Sequence, residues 1–180
     1  LPAGVIVVDW AFPYGPKHSH PNKFTQTGSL NHMKLRFGTR SSVLVFDIDE
    51  LLVVKSRSVR WLIERAPGLR FDNYYVPFVR PAVTDYSFTD FTLREPRAKG
   101  ASYKYSFRPP FVHSVTPHAP QSRFGNRSLA PVVPVKSAYF LHYMGITTNW
   151  KAEYWDRKRD VAARVDLSND SSVIEVLGRN

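Results

Sequence analysis

"SSVLVFDIDELLVV", residues 41–54, sets three carboxylates inside a run that is otherwise apolar. Val43, Leu44, Val45 and Phe46 come before Asp47, Asp49 and Glu50, and Leu51, Leu52, Val53 and Val54 follow them. Aliphatic and β-branched residues in a bounded run predict a strand. A carboxylate buried in such a strand needs a partner, because an uncompensated charge in an apolar interior is costly. Residues two apart on a strand share a face, so Asp47 and Asp49 point together, while Ile48 and Glu50 point the other way. Two carboxylates converging at a strand end repel each other, and a divalent cation relieves that repulsion. Oxygen-only donors favour a hard ion, Mg²⁺ or Mn²⁺, which in turn holds a diphosphate. The plainer alternative is an edge strand whose acids stand in solvent.

The stretches on either side predict an α/β order. "GVIVVDWAF" (residues 4–12) reads as a strand closed by the turn residues of "PYGPKHSHPN". Leu30, Met33 and Phe37 recur at helical spacing, with Gly38 as a terminator. "SRSVRWLIERAPG" predicts a short helix with Ser56 or Ser58 as N-cap, stopped by Pro67 and Gly68. Residues 71–115 are rich in Tyr, Phe, Val and Thr and broken by Pro and Gly, which predicts antiparallel strands and long loops. A loop is expected over 116–134, a strand at "SAYFLHYMG", and an amphipathic helix over 149–165 capped by Asn149. The organisation expected is one domain over residues 1–165, followed by a loosely held polar tail, 166–180.

The 180 residues suffice for one domain with a core, and 43% of them are hydrophobic, which argues against wholesale disorder. There is no cysteine, so disulfide scaffolds and cysteine-ligated zinc are excluded. No apolar stretch approaches the roughly 20 residues of a membrane span. The formal charge of +10 favours anionic partners: nucleotides, nucleic acid or an anionic membrane surface. A soluble basic surface with no particular partner gives the same number.

Three chemistries compete for the acids. "VFDIDELLV" looks like the nucleophile strand of haloacid-dehalogenase-type phosphatases, in which Asp47 would be the nucleophile. Glu50 and Leu51 stand where that strand carries Gly and Thr. A calcium loop fails, since Leu51 occupies a ligand position and no Gly makes the sharp turn. The third is the D-x-D element of a nucleotide-sugar glycosyltransferase.

The surroundings favour the third. "KFTQTGSLNHMKLRFGTRSSVLVFDIDELLVV" (23–54) resembles glycosyltransferase family 92 and related family 2-like enzymes: a Gln-led helix ending in a basic residue, then an apolar strand ending in D-x-D-E. Gln26, Asn31 and Arg36 match the helix, and Asp47, Asp49 and Glu50 the strand. "FTDFTLREPRAKGASYKYSFRPPFVHSVTPHAP" (88–120) is similar to the family's next block through Asp90, Arg94, Lys104, Arg108, Pro109 and His118, with Asp90 replacing the usual Glu. "FLHYMGITTNWK" (140–151) matches the closing strand at His142 and Tyr143, with Met144 in place of Arg.

The resemblance implies a GT-A-like mixed sheet with flanking helices, here the C-terminal portion of that fold, with the first nucleotide-binding units lying before Leu1. It implies a metal-dependent transfer of sugar from a UDP- or GDP-sugar to a carbohydrate or lipid-linked acceptor in surface polysaccharide synthesis. The absence of cysteine and of a membrane span leans toward a cytoplasmic enzyme, with peripheral contact to anionic membrane and no specific nucleic acid expected. Mn²⁺ or Mg²⁺ would be held by Asp47 and Asp49 with His118 or His142, either of which could equally be a packed structural histidine. Asp47, Gln26, Lys104 and Arg108 would contact the nucleotide, although Lys104 and Arg108 also suit an ordinary solvated face. Asp90 and Glu95 are the candidate bases for the acceptor hydroxyl, with Glu95 favoured as a salt-bridge partner of Arg94 or Arg97. "HSH" at 18–20 reads as loop, and Trp10, Tyr14, Trp150 and Trp155 as core. A basic nucleic-acid-binding module, centred on residues 103–127, is the non-enzyme alternative.

Overall fold

The aromatic and β-branched stretches assemble into a mixed sheet of six strands and two small ribbons. A computed structural model describes residues 22–36, 41–77, 87–123, 131–143 and 167–177. In chain order the elements are α1 (Asn22–Arg36), β1 (Val43–Val45), β2 (Glu50–Val54), α2 (Arg57–Arg65) and β3 (Gly68–Tyr75). After a 3₁₀ turn, Phe88–Asp90, come β4 (Leu93–Arg94), β5 (Lys99–Phe107), β6 (Val112–Val115) and β7 (Pro120–Ser122). The chain continues with β8 (Val132–Val133), β9 (Ala138–His142), β10 (Ser168–Asn169) and α3 (Ser172–Leu177).

Residues 41–54 form two strands rather than one. β1 pairs antiparallel with β5, and β2 pairs antiparallel with β9. Between them Asp47–Glu50 forms a turn closed by the Glu50 N–H donating to the Asp47 carbonyl at 3.1 Å. The large-sheet order is β1-β5-β3-β9-β2, so this short turn joins the two ends of the order. Four strand spacings of about 4.8 Å would span about 19 Å in a flat sheet. A chain that reverses within four residues, with its Cα ends under about 7 Å apart, falls short of that distance. The sheet therefore curls until its first and last strands approach. The expected α/β class holds in this form, a curled mixed sheet with helices against it.

β3 runs through the middle, antiparallel to β5 and parallel to β8 and β9. Alternation on β9 sends Ala138 and Phe140 into one buried cluster with Val59, Leu69 and Phe71, where α2 packs. Tyr139 and Leu141 enter the opposite cluster with Val53, Tyr74 and Phe91. A third cluster, Val45, Tyr105, Phe107, Val112 and Val115, is met by Leu30 of α1.

α1 is docked by polar side chains as well. The Asn31 amide donates to the Val115 carbonyl at 2.8 Å and accepts from the Val115 N–H at 3.0 Å, as a neighbouring strand would. Buried Lys34 donates to the His113 carbonyl at 2.5 Å. Burial, and next the Arg123 charge, hold the Lys34 ammonium below its ordinary pKa.

Residues 167–177, expected as a loose tail, lie against the sheet. β10 pairs with β4, and Asp170 and Ser172 are buried. The predicted strand 4–12, the helix 149–165, "HSH", Trp10, Tyr14, Phe37, Gly38, Met144, Trp150 and Trp155 lie outside the described residues. Among the described residues, no helix is long and apolar enough to cross a membrane.

Candidate metal centre at the acidic turn

The split of residues 41–54 rearranges their acids. The period-two rule lapses where the strand ends at Val45, so Asp47 and Asp49 do not share a strand face. Asp47 instead pairs with Lys104 of β5, Nζ to Oδ2 at 2.5 Å. Glu50, expected on the far side, shares that ammonium through Oε2 at 3.0 Å. The same Oε2 accepts the Asp47 N–H at 2.8 Å, which fixes the carboxylate across the turn. Ile48, at the tip, is 87% exposed.

Lys104 does not stand on the ordinary solvated face that its alternation with Arg108 suggests. Its side chain is 2% exposed and its register partner is Phe71, one of the core aromatics. A cation there is tolerated because two carboxylates reach it. The Glu50 side chain is 1% exposed. Burial raises the pKa of its carboxyl above the ordinary value, and the attraction of Lys104 and the Asp47 N–H offset this only partly.

β9 brings in the imidazole. Glu50 and His142 are register partners, and the Tyr143 N–H donates to the Asp49 carbonyl at 2.8 Å, which anchors the turn at the end of β9. His142 Nε2 lies 3.5 Å from Asp49 Oδ2, and Nδ1 lies 3.9 Å from Glu50 Oε1. Nδ1 is buried and has no hydrogen-bond partner among the described residues. One ligand atom each from Asp49, Glu50 and His142 falls within 4.8 Å of the others. Ligands about 2.1 Å from an octahedral ion stand about 3 Å apart when adjacent and about 4.2 Å when opposite, so the set is open by a small margin. The two carboxylates are the hard donors that Mn²⁺ and Mg²⁺ take, while the imidazole makes the set mixed and equally open to softer divalent ions such as Zn²⁺ or Fe²⁺. Three carboxylates, Asp47, Asp49 and Glu50, meet one ammonium, Lys104, so the turn has more acids than bases, an excess that a divalent cation would offset.

The remaining candidates lie elsewhere. His118 sits between β6 and β7, exposed, and does not join the Asp49–Glu50–His142 group. Gln26 lies in α1, and its side chain is outside the described residues. Arg108 donates to the Arg65 carbonyl at 3.4 Å and lies over Phe111. Asp90 closes a capping box, with Oδ2 accepting the Ser87 N–H at 2.7 Å. That 3₁₀ turn touches the centre's neighbour, since Phe88 meets Tyr143 edge-on at 4.8 Å. Arg94 takes its ion pair to Asp170 at 2.6 Å and donates to the Glu95 backbone carbonyl at 3.1 Å. Glu50 is the site residue that period-two reasoning misassigned. The signal that could have found it is the i, i+3 spacing of Asp47 and Glu50 across a turn.

No protein-family model matches this sequence, and no curated protein matches it either.

Proposed function

We propose that this chain carries the metal-binding part of a GT-A-like glycosyltransferase, which moves sugar from a nucleotide-diphosphate donor to a carbohydrate or lipid-linked acceptor. The observation that carries the reading is the convergence of Asp49, Glu50 and His142 beside a buried ammonium. These three residues would hold Mn²⁺ or Mg²⁺. A bound divalent ion supplies Lewis-acid stabilisation to the departing diphosphate.

The protein residues divide the remaining work. Lys104 holds Asp47 and the Glu50 Oε2, so that the Glu50 Oε1 is left facing His142. Asp49 presents its carboxylate from the turn while its carbonyl is tied to β9. Asp90, exposed on its 3₁₀ turn with one carboxylate oxygen on the Ser87 N–H, is the candidate base for the acceptor hydroxyl. The chain's basic charge favours an anionic donor.

The test is calorimetric titration of Mn²⁺, alone and followed by UDP or GDP. Asp49→Asn and His142→Ala are expected to abolish Mn²⁺ binding. Asp47→Asn is expected to retain it, because Asp47 serves Lys104 rather than the ion. The phosphatase alternative predicts the reverse, with Asp47→Asn ending turnover of a generic phosphate ester. Loss of Mn²⁺ binding in Asp47→Asn alone would sink the assignment.

A further inference from the structure

α2 turns an aromatic and basic face to solvent that packing does not explain. Its inward side is Val59, buried against Leu69, Phe71 and Phe140, with Ile63 beside it. At 100° per residue, Trp61 falls nearly opposite that side, between Arg57 and Arg65. Trp61 is 54% exposed, an unusual position for the largest apolar side chain, and Leu62 next to it is also exposed. The Arg65 guanidinium sits 5.1 Å from the Trp61 ring centroid and still leaves the ring open. Arg60 is exposed on the same helix, and Arg108 extends the basic surface through its bond to the Arg65 carbonyl. Glu64 is the helix's one acidic residue.

The charge is also misplaced for stability. Arg57 and Arg60 lie in the first turn, which holds no acid and where the helix dipole disfavours cations; Glu64 follows Arg60 one turn on. Ser56 makes no side-chain cap bond there and is spent on the Ser58 hydroxyl instead. Four arginines around an outward Trp and Leu match the interfacial layer of a bilayer, where the ring sits among headgroups and the guanidinium groups meet lipid phosphates. A single-stranded nucleic acid would call for a groove that tracks its backbone, whereas this is the convex outside of one helix.

We infer that the α2 face of Arg57, Arg60, Trp61, Leu62, Arg65 and Arg108 docks this protein on the surface of an anionic membrane. The inference rests on α2 with the adjoining Arg108 and stands apart from the metal centre. For a transferase with a lipid-linked acceptor it would bring the protein to the acceptor's surface.

The test is co-sedimentation of the whole chain with vesicles. Phosphatidylcholine vesicles containing 30% phosphatidylserine, a composition of roughly cellular anionic content, are compared with phosphatidylcholine alone. Binding is expected to the anionic vesicles only, and to weaken as salt is raised. Arg57→Glu with Arg60→Glu should lower the partition coefficient on the order of twenty-fold or more. Trp61→Ser should lower it on the order of ten-fold. All three substitutions fall on exposed side chains, and a thermal melt checks that the fold persists. Equal partition to both vesicle types by the unaltered chain would overturn the inference, as would unchanged binding by the double arginine variant. Trp61-dependent binding to a single-stranded RNA without vesicle binding would overturn it too.

Discussion

Two buried ionic networks lie on this sheet, one at each end of β9, and they are built to opposite rules. At Asp170 both carboxylate oxygens are engaged. Oδ2 accepts from Arg94 Nε and from the Tyr139 hydroxyl, both at 2.6 Å, and Oδ1 accepts the Ser172 N–H at 3.0 Å. The Arg94 guanidinium also stacks 3.7 Å over the Tyr74 ring. Burial alone would raise the Asp170 pKa, but the hydrogen bonds from Ser172, Tyr139 and Arg94 together hold it below its ordinary value. This network fastens the chain's last described segment to the sheet. At the acidic turn, by contrast, one ammonium serves two carboxylates, the buried Nδ1 of His142 has no hydrogen bond among the described residues, and the Glu50 pKa is raised. A saturated network stabilises a fold, and an undersupplied one has capacity left for a ligand.

The largest expected effect is at Lys104. Lys104→Met leaves Glu50 and Asp47 beside each other without their cation, and breaking a buried pair in this way costs about 3–5 kcal/mol. Urea denaturation measures the loss. If the turn is a metal centre, Mn²⁺ should restore part of that stability in Lys104→Met. Asp170→Asn should cost less, about 2–3 kcal/mol, since Arg94 is part-exposed and can rehydrate, and Mn²⁺ should restore none of it. A metal rescue of Asp170→Asn would erase the distinction between the networks.

The two networks should also give opposite pH slopes, a smaller effect. Asp170 has a depressed folded pKa, so its contribution is present above its ordinary 3.8 and is lost as pH falls through the folded value. Glu50 has a raised folded pKa, so in metal-free protein its burden appears as pH rises from its ordinary 4.5 through the folded value. Melting curves across that range should show Asp170→Asn flattening the acid side and Glu50→Gln flattening the side above it. Parallel changes in both variants would mean that the assignment of the slopes is wrong.

The sequence carried much of the sheet and little of the connections between distant residues. β9, α2 and the strand character of residues 99–107 followed from local composition, which tertiary packing then reinforced. The break at residues 46–49 did not, because the apolar runs on its two sides read as one strand. The turn is imposed by partners that local pattern does not show: β5 for one side and β9 for the other. Lys104 sits among tyrosines in "YKY" and looked like a solvated position, and its burial depends on acids 57 and 54 residues earlier. The docking of residues 167–177 hangs on Asp170, whose partner Arg94 is 76 residues away. Ion pairs at such separation leave no periodic trace.

Mn²⁺ titration of the metal-free chain, followed by thermal unfolding, tests the acidic turn most directly. At a hundred-fold excess over its dissociation constant, an ion bound only to the folded state adds about 2.7 kcal/mol, or about 5–10 °C in a chain of this length. The unaltered chain and Asp47→Asn are expected to show that rise, and Asp49→Asn is expected to show none. An unaltered chain whose melting temperature does not move with Mn²⁺, or an Asp49→Asn variant that moves as far as its parent, would contradict the metal centre.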